Sequence, residues 1–141
     1  MIDMIVIDGK DLILGRLAAF AVKQALLGEV VHIVNAEQVV VTGSRNKIIE
    51  HYKKRRERGA PFVGPFFPRM PDRIVKRAVR GMLDYNSSRG KAAFNRVKCH
   101  IGVPSSLKSH KAVSFENMSV GKTHAKFIYV KDISKELGAK F

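Results

Sequence analysis

The chain has 141 residues and a mass of 15.8 kDa, which suits one ordinary domain and is short for two. Its apolar fraction of 45% argues against a wholly disordered chain, and no apolar run approaches the ~20 residues that span a bilayer. The single cysteine, Cys99, excludes an internal disulfide and a multi-cysteine metal site. Because residues 1–3 lack a positive leader, we expect no signal peptide and a cytoplasmic protein.

The positive charge of the chain is concentrated in its middle. Twenty-six lysines and arginines stand against twelve aspartates and glutamates, giving a net charge of +14 and a pI near 10.3. Residues 45–100 hold sixteen of the basic and four of the acidic side chains, a net +12, whereas residues 1–44 have a net charge of −2. Such an excess repels itself in a compact fold and is best tolerated beside a polyanion. We therefore predict a nucleic-acid-binding surface in this central basic region.

The first part of the chain predicts a strand, a helix and a strand. Residues 4–7 and 30–34 are short apolar runs that predict buried strands, and residues 39–41 predict a short third strand. Residues 14–27 place apolar side chains at helical spacing, and Gly28 is positioned to end that helix. This order within about thirty residues predicts a βαβ unit with a parallel pair of strands.

A second helix and a proline-rich loop follow. Ser44 is a suitable N-cap for a helix that runs into a dense basic stretch and ends at Gly59. Residues 59–71 hold four of the five prolines, which predicts an extended loop rather than a helix or a central strand. The phenylalanines of this loop have two open interpretations: Phe62, Phe66 and Phe67 could stack on unpaired bases or could anchor the loop on the protein core.

The next helix has the clearest two-sided pattern in the chain. An apolar stripe recurs at steps of three and four residues, and basic side chains recur at the same steps on the other side. Gly81, which costs a helix about 1 kcal/mol relative to alanine, indicates a close packing contact, and Gly15 indicates the same in the first helix. The apolar stripe consists of Ile74, Val75, Ala78, Val79 and Met82, and the basic one of Arg73, Lys76, Arg77 and Arg80.

The remaining elements are shorter. Ser87 or Ser88 is placed to cap a fourth helix, and residues 97–101 predict a short strand. Residues 126–130 predict a strand and residues 133–137 a short turn of helix. No linker or repeat divides the chain, so we predict a single domain over residues 1–141.

The sequence contains no complete motif of the nucleotide-binding, metal-binding or catalytic kind. Gly121-Lys122-Thr123 is similar to the end of a phosphate-binding loop, but Glu116 stands where that pattern needs glycine. The turn at residues 8–15 has two glycines six apart and two carboxylates that would repel a pyrophosphate. The five histidines show no metal-ligand spacing. Adjacent residues on a strand point to opposite faces, so Cys99 and His100 do not form a catalytic pair and Cys99 is predicted to be a buried structural cysteine. We expect no catalytic residue, metal or cofactor.

Three blocks of sequence resemble one known family. Leu14-Gly15-Arg16-Leu17-Ala18 and Val34-Asn35-Ala36-Glu37 with Thr42-Gly43 come first, followed by the most specific block, Arg69-Met70-Pro71-Asp72-Arg73 through Arg77-Ala78-Val79-Arg80-Gly81-Met82-Leu83. Together they resemble the ribosomal protein L13 family, and Arg89-Gly90-Lys91 and Gly102-Val103-Pro104 are similar to its archaeal and eukaryotic branch. Many members carry proline where this chain has Asp84, so we expect a different turn after the third helix.

The resemblance implies an α/β fold, a three-layer α/β/α sandwich around a small, mainly parallel sheet of about four strands. It implies a structural constituent of the large ribosomal subunit that binds large-subunit rRNA, supports assembly beside neighbouring ribosomal proteins, and is not an obligate homo-oligomer. Glycines 15, 43 and 81 would be structural. The RNA contacts it implies fall on the matching basic positions, namely Lys53, Lys54, Arg55, Arg56, Arg58, Arg69, Arg73, Lys76, Arg77, Arg80, Arg89 and Lys91.

Two other classes of protein compete with this interpretation. A small basic nucleic-acid-processing enzyme would need paired acids or a metal site, yet the four carboxylates of the central region show no ligand spacing. A peripheral membrane protein would need apolar side chains of the inserting kind beside the cations, and the sequence does not place them there. The four carboxylates are Glu50, Glu57, Asp72 and Asp84.

Overall fold

Three short parallel strands form the centre of the molecule. The computed structural model describes residues 4–59, 62–64, 66–115, 118–122 and 125–140. Strands β1 (Met4–Asp8), β2 (Val30–Val34) and β4 (Val97–Cys99) lie in the order β1-β2-β4, and both pairings are parallel. Helix α1 (Leu14–Leu26) connects β1 to β2, which confirms the predicted βαβ unit.

A second, smaller sheet extends the fold. Strand β3 (Val40–Thr42) pairs antiparallel with β5 (Phe127–Tyr129), so the strand predicted at residues 39–41 belongs to this pair and not to the parallel sheet. The α/β class and the mainly parallel sheet are confirmed, with three parallel strands and a separate antiparallel pair among the described residues.

The helices occupy the predicted positions with small shifts at their ends. They are α2 (Arg45–Glu57), α3 (Pro71–Met82), α4 (Ser88–Arg96) and α5 (Val130–Glu136). Ser44 lies at the N-cap of α2 without a side-chain capping bond, and α2 ends before Gly59, with Arg58 at its C-cap. The strand predicted at 97–101 ends at Cys99: the His100 N–H still donates to the Ile33 carbonyl of β2 at 2.8 Å, and the chain then turns at Gly102, which has a φ of +67°. Among the described residues, no helix combines the length and apolar character that a membrane span requires.

The two faces of the parallel sheet are covered differently. Ile7, Val31 and Ile33 are completely buried in the main core, which α1, α3 and α4 complete. Successive side chains on a strand point to opposite faces of the sheet. On the opposite face, Val6 and Val34 pack against Leu107 of the one-turn 3-10 helix Ser105–Leu107. The helical face therefore carries most of the core.

Three details of the helix patterns are corrected. Met82 is 46% exposed rather than part of the buried stripe, and Leu83, just beyond the helix, is buried instead, because α3 ends there and the chain turns. A Cβ atom added at Gly81 or at Gly15 would meet nothing within 4 Å, so the close contacts predicted for both glycines are wrong. Gly43, by contrast, has a φ of +131°, a conformation that favours glycine.

Gly90, in the first turn of α4, is a tightly packed glycine. Ser87 caps α4 as predicted, since its Oγ accepts a hydrogen bond from the Gly90 backbone N–H at 3.0 Å. The backbone carbonyl oxygen of Asp84 lies 1.7 Å from the position a Cβ atom would take on Gly90. The turn that leaves α3 therefore requires glycine at this position.

We predict opposite effects for alanine at Gly90 and at Gly81. Gly90→Ala should lower the free energy of unfolding by about 2–3 kcal/mol, because the Asp84 backbone must move. Gly81→Ala should raise it by about 0.5 kcal/mol, because it fills open space and restricts the unfolded chain. Urea denaturation of both variants tests this pair, and a Gly90→Ala protein as stable as the wild type would contradict the assigned contact.

Candidate nucleic-acid interface

A cavity of about 550 Å³ lies between the end of α2, the loop at residues 66–68 and the outer side of α3. Its apolar lining comes from Phe66, Phe67 and Pro68 of the loop and from Phe94 of α4. Six cations surround these apolar groups, and no acidic side chain is among the described lining residues. The cations, called here the cavity cations, are Arg55, Arg58, Arg73, Lys76, Arg77 and Arg80.

Helix α3 presents its cations because its other side is fixed in the core. Ile74, Val75 and Val79 are at most 1% exposed, so the basic positions between them must face outward. Arg73 is exposed, and Arg77 is partly exposed. The predicted two-sided pattern of this helix is confirmed on both sides, apart from Met82.

Aromatic rings and cations alternate around the cavity. The guanidinium carbon of Arg55 lies 4.7 Å from the centre of the Phe67 ring, and the Lys76 ammonium lies 4.6 Å from the centre of Phe94. At the far end of α3, Arg80 lies 4.2 Å from the centre of the Tyr85 ring. Such contacts are weakly stabilising and hold the long side chains along apolar surface.

Burial affects one of the cavity cations in particular. Desolvation lowers the pKa of Lys76, and the nearby Lys98 lowers it further, while Cys99 acts in the opposite direction. A positive charge in this position is therefore less well solvated than on an open surface. An anion bound in the cavity would favour the charged form of Lys76.

The phenylalanine loop divides between the two open interpretations. Phe67 is 8% exposed and its ring centre lies 5.8 Å from that of Tyr52, so this residue anchors the loop on the protein. Phe62 and Phe66 are 96% and 67% exposed, so these two side chains are available to a partner. Pro61 and Pro65 of the predicted loop lie outside the described residues.

Two residues predicted to contact RNA, Arg56 and Arg69, lie against other parts of the protein itself. Arg56 Nη1 donates a hydrogen bond to the backbone carbonyl of Phe67, which ties the loop to α2. The guanidinium of Arg69 lies against the chain at Gly138, where an added Cβ atom would be 3.6 Å from Nη1. Arg56 therefore positions the loop in addition to carrying charge, and Arg69 lies beside the C-terminal segment.

Two other predicted contacts on α2, Lys53 and Lys54, are not among the lining residues of the cavity. Lys53 Nζ is 3.8 Å from Glu136 of α5, and Lys54 Nζ is 3.2 Å from Glu50. All four side chains are substantially exposed, so each pair contributes little to stability. Arg89 and Lys91 lie exposed on α4, with the Lys91 ammonium 5.8 Å from the centre of the Tyr85 ring. The structure thus groups six of the twelve predicted residues around one cavity.

Sequence reasoning placed Arg89 and Lys91 of α4 on this surface but missed the aromatic side chains that accompany them. Phe94 lines the cavity from α4, and Tyr85 lies just before that helix. Arg96 serves a structural role, since its Nη1 donates to the backbone carbonyl of Ala25 at 2.9 Å, near the C-terminus of α1. The aromatic residues among the basic ones at 85–96 were the available signal.

The carboxyl edge of the parallel sheet, where α/β proteins often bind cofactors, is closed by the chain's own polar groups. Asp8 Oδ1 accepts hydrogen bonds from the Asn35 side chain and from the Lys10 backbone, both at 3.0 Å. Asp11 Oδ1 accepts from the Tyr129 hydroxyl at 2.8 Å, which raises the pKa of that phenol. Among the residues that the structure describes, no cluster of metal-ligand side chains occurs.

Cys99 and His100 leave the last parallel strand in opposite directions, as predicted. Cys99 packs against the main core, and desolvation raises the pKa of its thiol to about 12, which makes it a poor nucleophile. Lys122 ends the one-turn 3-10 helix Val120–Lys122, while Glu116 and Thr123 of the sequence similar to a phosphate-binding loop lie outside the described residues.

His100 forms a histidine pair that the sequence did not predict. Its Nε2 atom is 2.9 Å from Nδ1 of His32, and the two rings stack with centres 5.2 Å apart. Burial lowers the pKa of both imidazoles, and Lys98 lowers both further. His110 also lowers the pKa of His32, whereas Asp72 raises that of His100. The pair is therefore favoured in the neutral form.

The fold and this surface define a small α/β protein with one strongly cationic side. The family model described as ribosomal protein L13 matches residues 2–106. Proteins named large ribosomal subunit protein uL13 are 44% identical over 140 residues in Methanosarcina barkeri and 45% identical over 139 residues in Methanococcoides burtonii. Each alignment covers 98% of this chain and 100% of the relative, and the Methanocaldococcus jannaschii protein, 42% identical over 142 residues, is covered to the same extent. The chain belongs to the ribosomal protein L13 family, whose members are structural components and not enzymes.

We predict that stability decreases as pH is lowered through the range of histidine titration. Because burial lowers the pKa of His32 and His100 below 6.5, the unfolded chain binds more protons than the native protein as pH falls past that value. The stability is therefore fully present above pH 6.5 and is lost as pH falls toward the native pKa values. Urea denaturation at several pH values between about 7.5 and 5.5 measures this loss.

The His32→Gln variant is the matched control for the histidine pair. It keeps a polar partner for His100 and removes one titrating group, so its stability should depend less on pH over the same range. Equal pH dependence in the variant and the wild type would contradict the assignment.

Proposed function

We propose that this protein is a structural constituent of the large ribosomal subunit in the cytoplasm and binds large-subunit rRNA through the cavity cations. The observation that carries the proposal is the convergence of six cations from α2 and α3 around one cavity, without an acidic side chain among its described lining residues. The names of the relatives, which place them in the large ribosomal subunit, support it. We expect a protein in the large ribosomal subunit to contact neighbouring ribosomal proteins and to support assembly of the particle.

The chemistry of the surface favours phosphate as the group that is bound. Five of the six cavity cations are arginines, whose planar guanidinium groups can donate two parallel hydrogen bonds to a phosphate. Their mutual repulsion destabilises the free protein and is relieved when a polyanion enters. Binding of this kind releases counterions from RNA and weakens as the salt concentration rises.

The other basic residues take different parts in the proposal. Arg56 holds the loop at Phe67, and Arg69, which lies beside Gly138, adds positive charge to the same protein. Arg89 and Lys91 extend the phosphate-binding surface along α4. Lys53 and Lys54, which pair with Glu136 and Glu50 and do not line the cavity, contribute long-range attraction rather than direct phosphate contacts.

We predict that charge reversal on α3 weakens RNA binding far more than the same reversal on α2. The double variant Arg73→Glu/Arg77→Glu removes two phosphate contacts, so the log–log salt slope should become shallower by roughly 1.4–1.8. Its fold should persist, because both side chains lie opposite the buried stripe of α3. Binding to in-vitro-transcribed large-subunit rRNA across a salt series measures the affinity and the slope.

The matched control is Lys53→Glu/Lys54→Glu, which changes the net charge by the same amount. We expect it to lower the affinity without flattening the salt slope to the same degree, since those side chains face α5 and Glu50. Equal effects of the two double variants would contradict the assignment of the cavity as the phosphate-binding surface. Failure of the wild type to co-sediment with large subunits at low salt would contradict the proposed function itself.

A further inference from the structure

The cavity combines features that paired RNA alone does not require. A double-stranded helix presents its phosphates to a protein, and a flat row of cations is sufficient to bind them. Here the cations surround an apolar lining that includes the rings of Phe66 and Phe94. The volume of about 550 Å³ is within the range typical of sites for small ligands, about 300–1,000 Å³.

Phe66 is the ring best placed to receive a ligand. It is 67% exposed, whereas Phe67 is buried beneath Arg55, and Phe94 already has Lys76 over one face. The backbone of Gly64 lies beside the Phe66 ring. Gly64, with a φ of +86°, lies so close that a Cβ atom there would be 3.1 Å from Cδ2 of Phe66. The loop therefore presents an exposed aromatic ring beside the cations.

We propose that the cavity holds the base of one unpaired RNA nucleotide, stacked on Phe66, with the flanking phosphates on Arg73 and Arg77. This inference rests on the proposed rRNA binding and specifies which form of RNA the site takes. Proteins bind unstacked RNA bases on aromatic rings and on guanidinium planes. Every kind of base has a flat aromatic face that can stack in this way.

The charge and shape of the site favour this occupant over other anions. A free phosphate or an acidic side chain would satisfy the cations but would leave the Phe66 ring and the apolar lining in contact with water. A nucleotide supplies an aromatic plane and two phosphates on one flexible backbone. Both halves of the lining are then used by a single ligand.

The test compares three RNA hairpins that differ at one position. The first has a fully paired stem, the second has a single-nucleotide bulge, and the third has the same bulge without its base. We expect the wild-type protein to bind the bulged hairpin about tenfold more tightly than the abasic one, as stacking of one base allows. A 2-aminopurine at the bulge should change its fluorescence on binding.

Variants in the loop separate stacking from charge. Phe66→Ala should bind the bulged and abasic hairpins equally, and Phe66→Tyr should restore the preference. Phe62→Ala is the matched control, because Phe62 is 96% exposed in the same loop but is not among the lining residues of the cavity, so this variant should keep the preference.

The outcomes distinguish this inference from the proposed function. Equal binding of all three hairpins by the wild type, or an unchanged preference in Phe66→Ala, would overturn the stacked base while leaving phosphate binding intact. Sensitivity of that remaining affinity to Arg73→Glu/Arg77→Glu would then support the proposed function alone. Absence of binding to all three hairpins and to large-subunit rRNA at low salt would overturn both.

Discussion

The packing of α3 into the main core is the contact on which the cationic surface depends. Ile74, Val75 and Val79 are almost completely buried, in the same core to which α1 contributes alanines at positions 18, 21 and 25. Small side chains let neighbouring helices approach closely, which leaves α3 little freedom to rotate about its axis. Its basic side must therefore face α2 and the loop. The core thus fixes the direction in which the charges point.

A second constraint explains why the site lies on helices and a loop rather than at the sheet. In open α/β folds the carboxyl edge of a parallel sheet is the usual ligand site. In this protein Asp8 and Asn35 bond to each other there, and Glu37 accepts a hydrogen bond from the Gly102 backbone at 3.0 Å. These hydrogen bonds stabilise the connections that follow the strands, and they occupy the edge of the sheet that would otherwise be open to a ligand. The outer side of the helices remains for binding.

The sequence predicted the elements of this fold well because its apolar periodicities are clear, above all in α3. It could not separate Arg55 from Lys53 and Lys54. The partner of Arg55 in the loop and the partner of Lys53 on α5 are distant in the sequence, and the pairing of Lys54 depends on the side of α2 on which it lies. It mistook open space for packing at Gly81, since spacing alone does not reveal what stands opposite a glycine. Pairing of His32 with His100 requires the parallel register of β2 and β4, which local patterns do not contain.

The placement of ion pairs bears on how the surface acts. Among the described residues, the pairs within 4 Å involve Arg45, Lys53 and Lys54, and none of these lines the cavity. In the part of the chain that the structure describes, the cavity cations are thus held together by the core beneath them rather than by acidic partners. Carboxylates placed among them would stabilise the free protein but would have to be displaced, or would repel phosphate, on binding. By leaving these charges without acidic partners in the described part of the chain, the fold keeps their electrostatic repulsion available to favour an incoming polyanion.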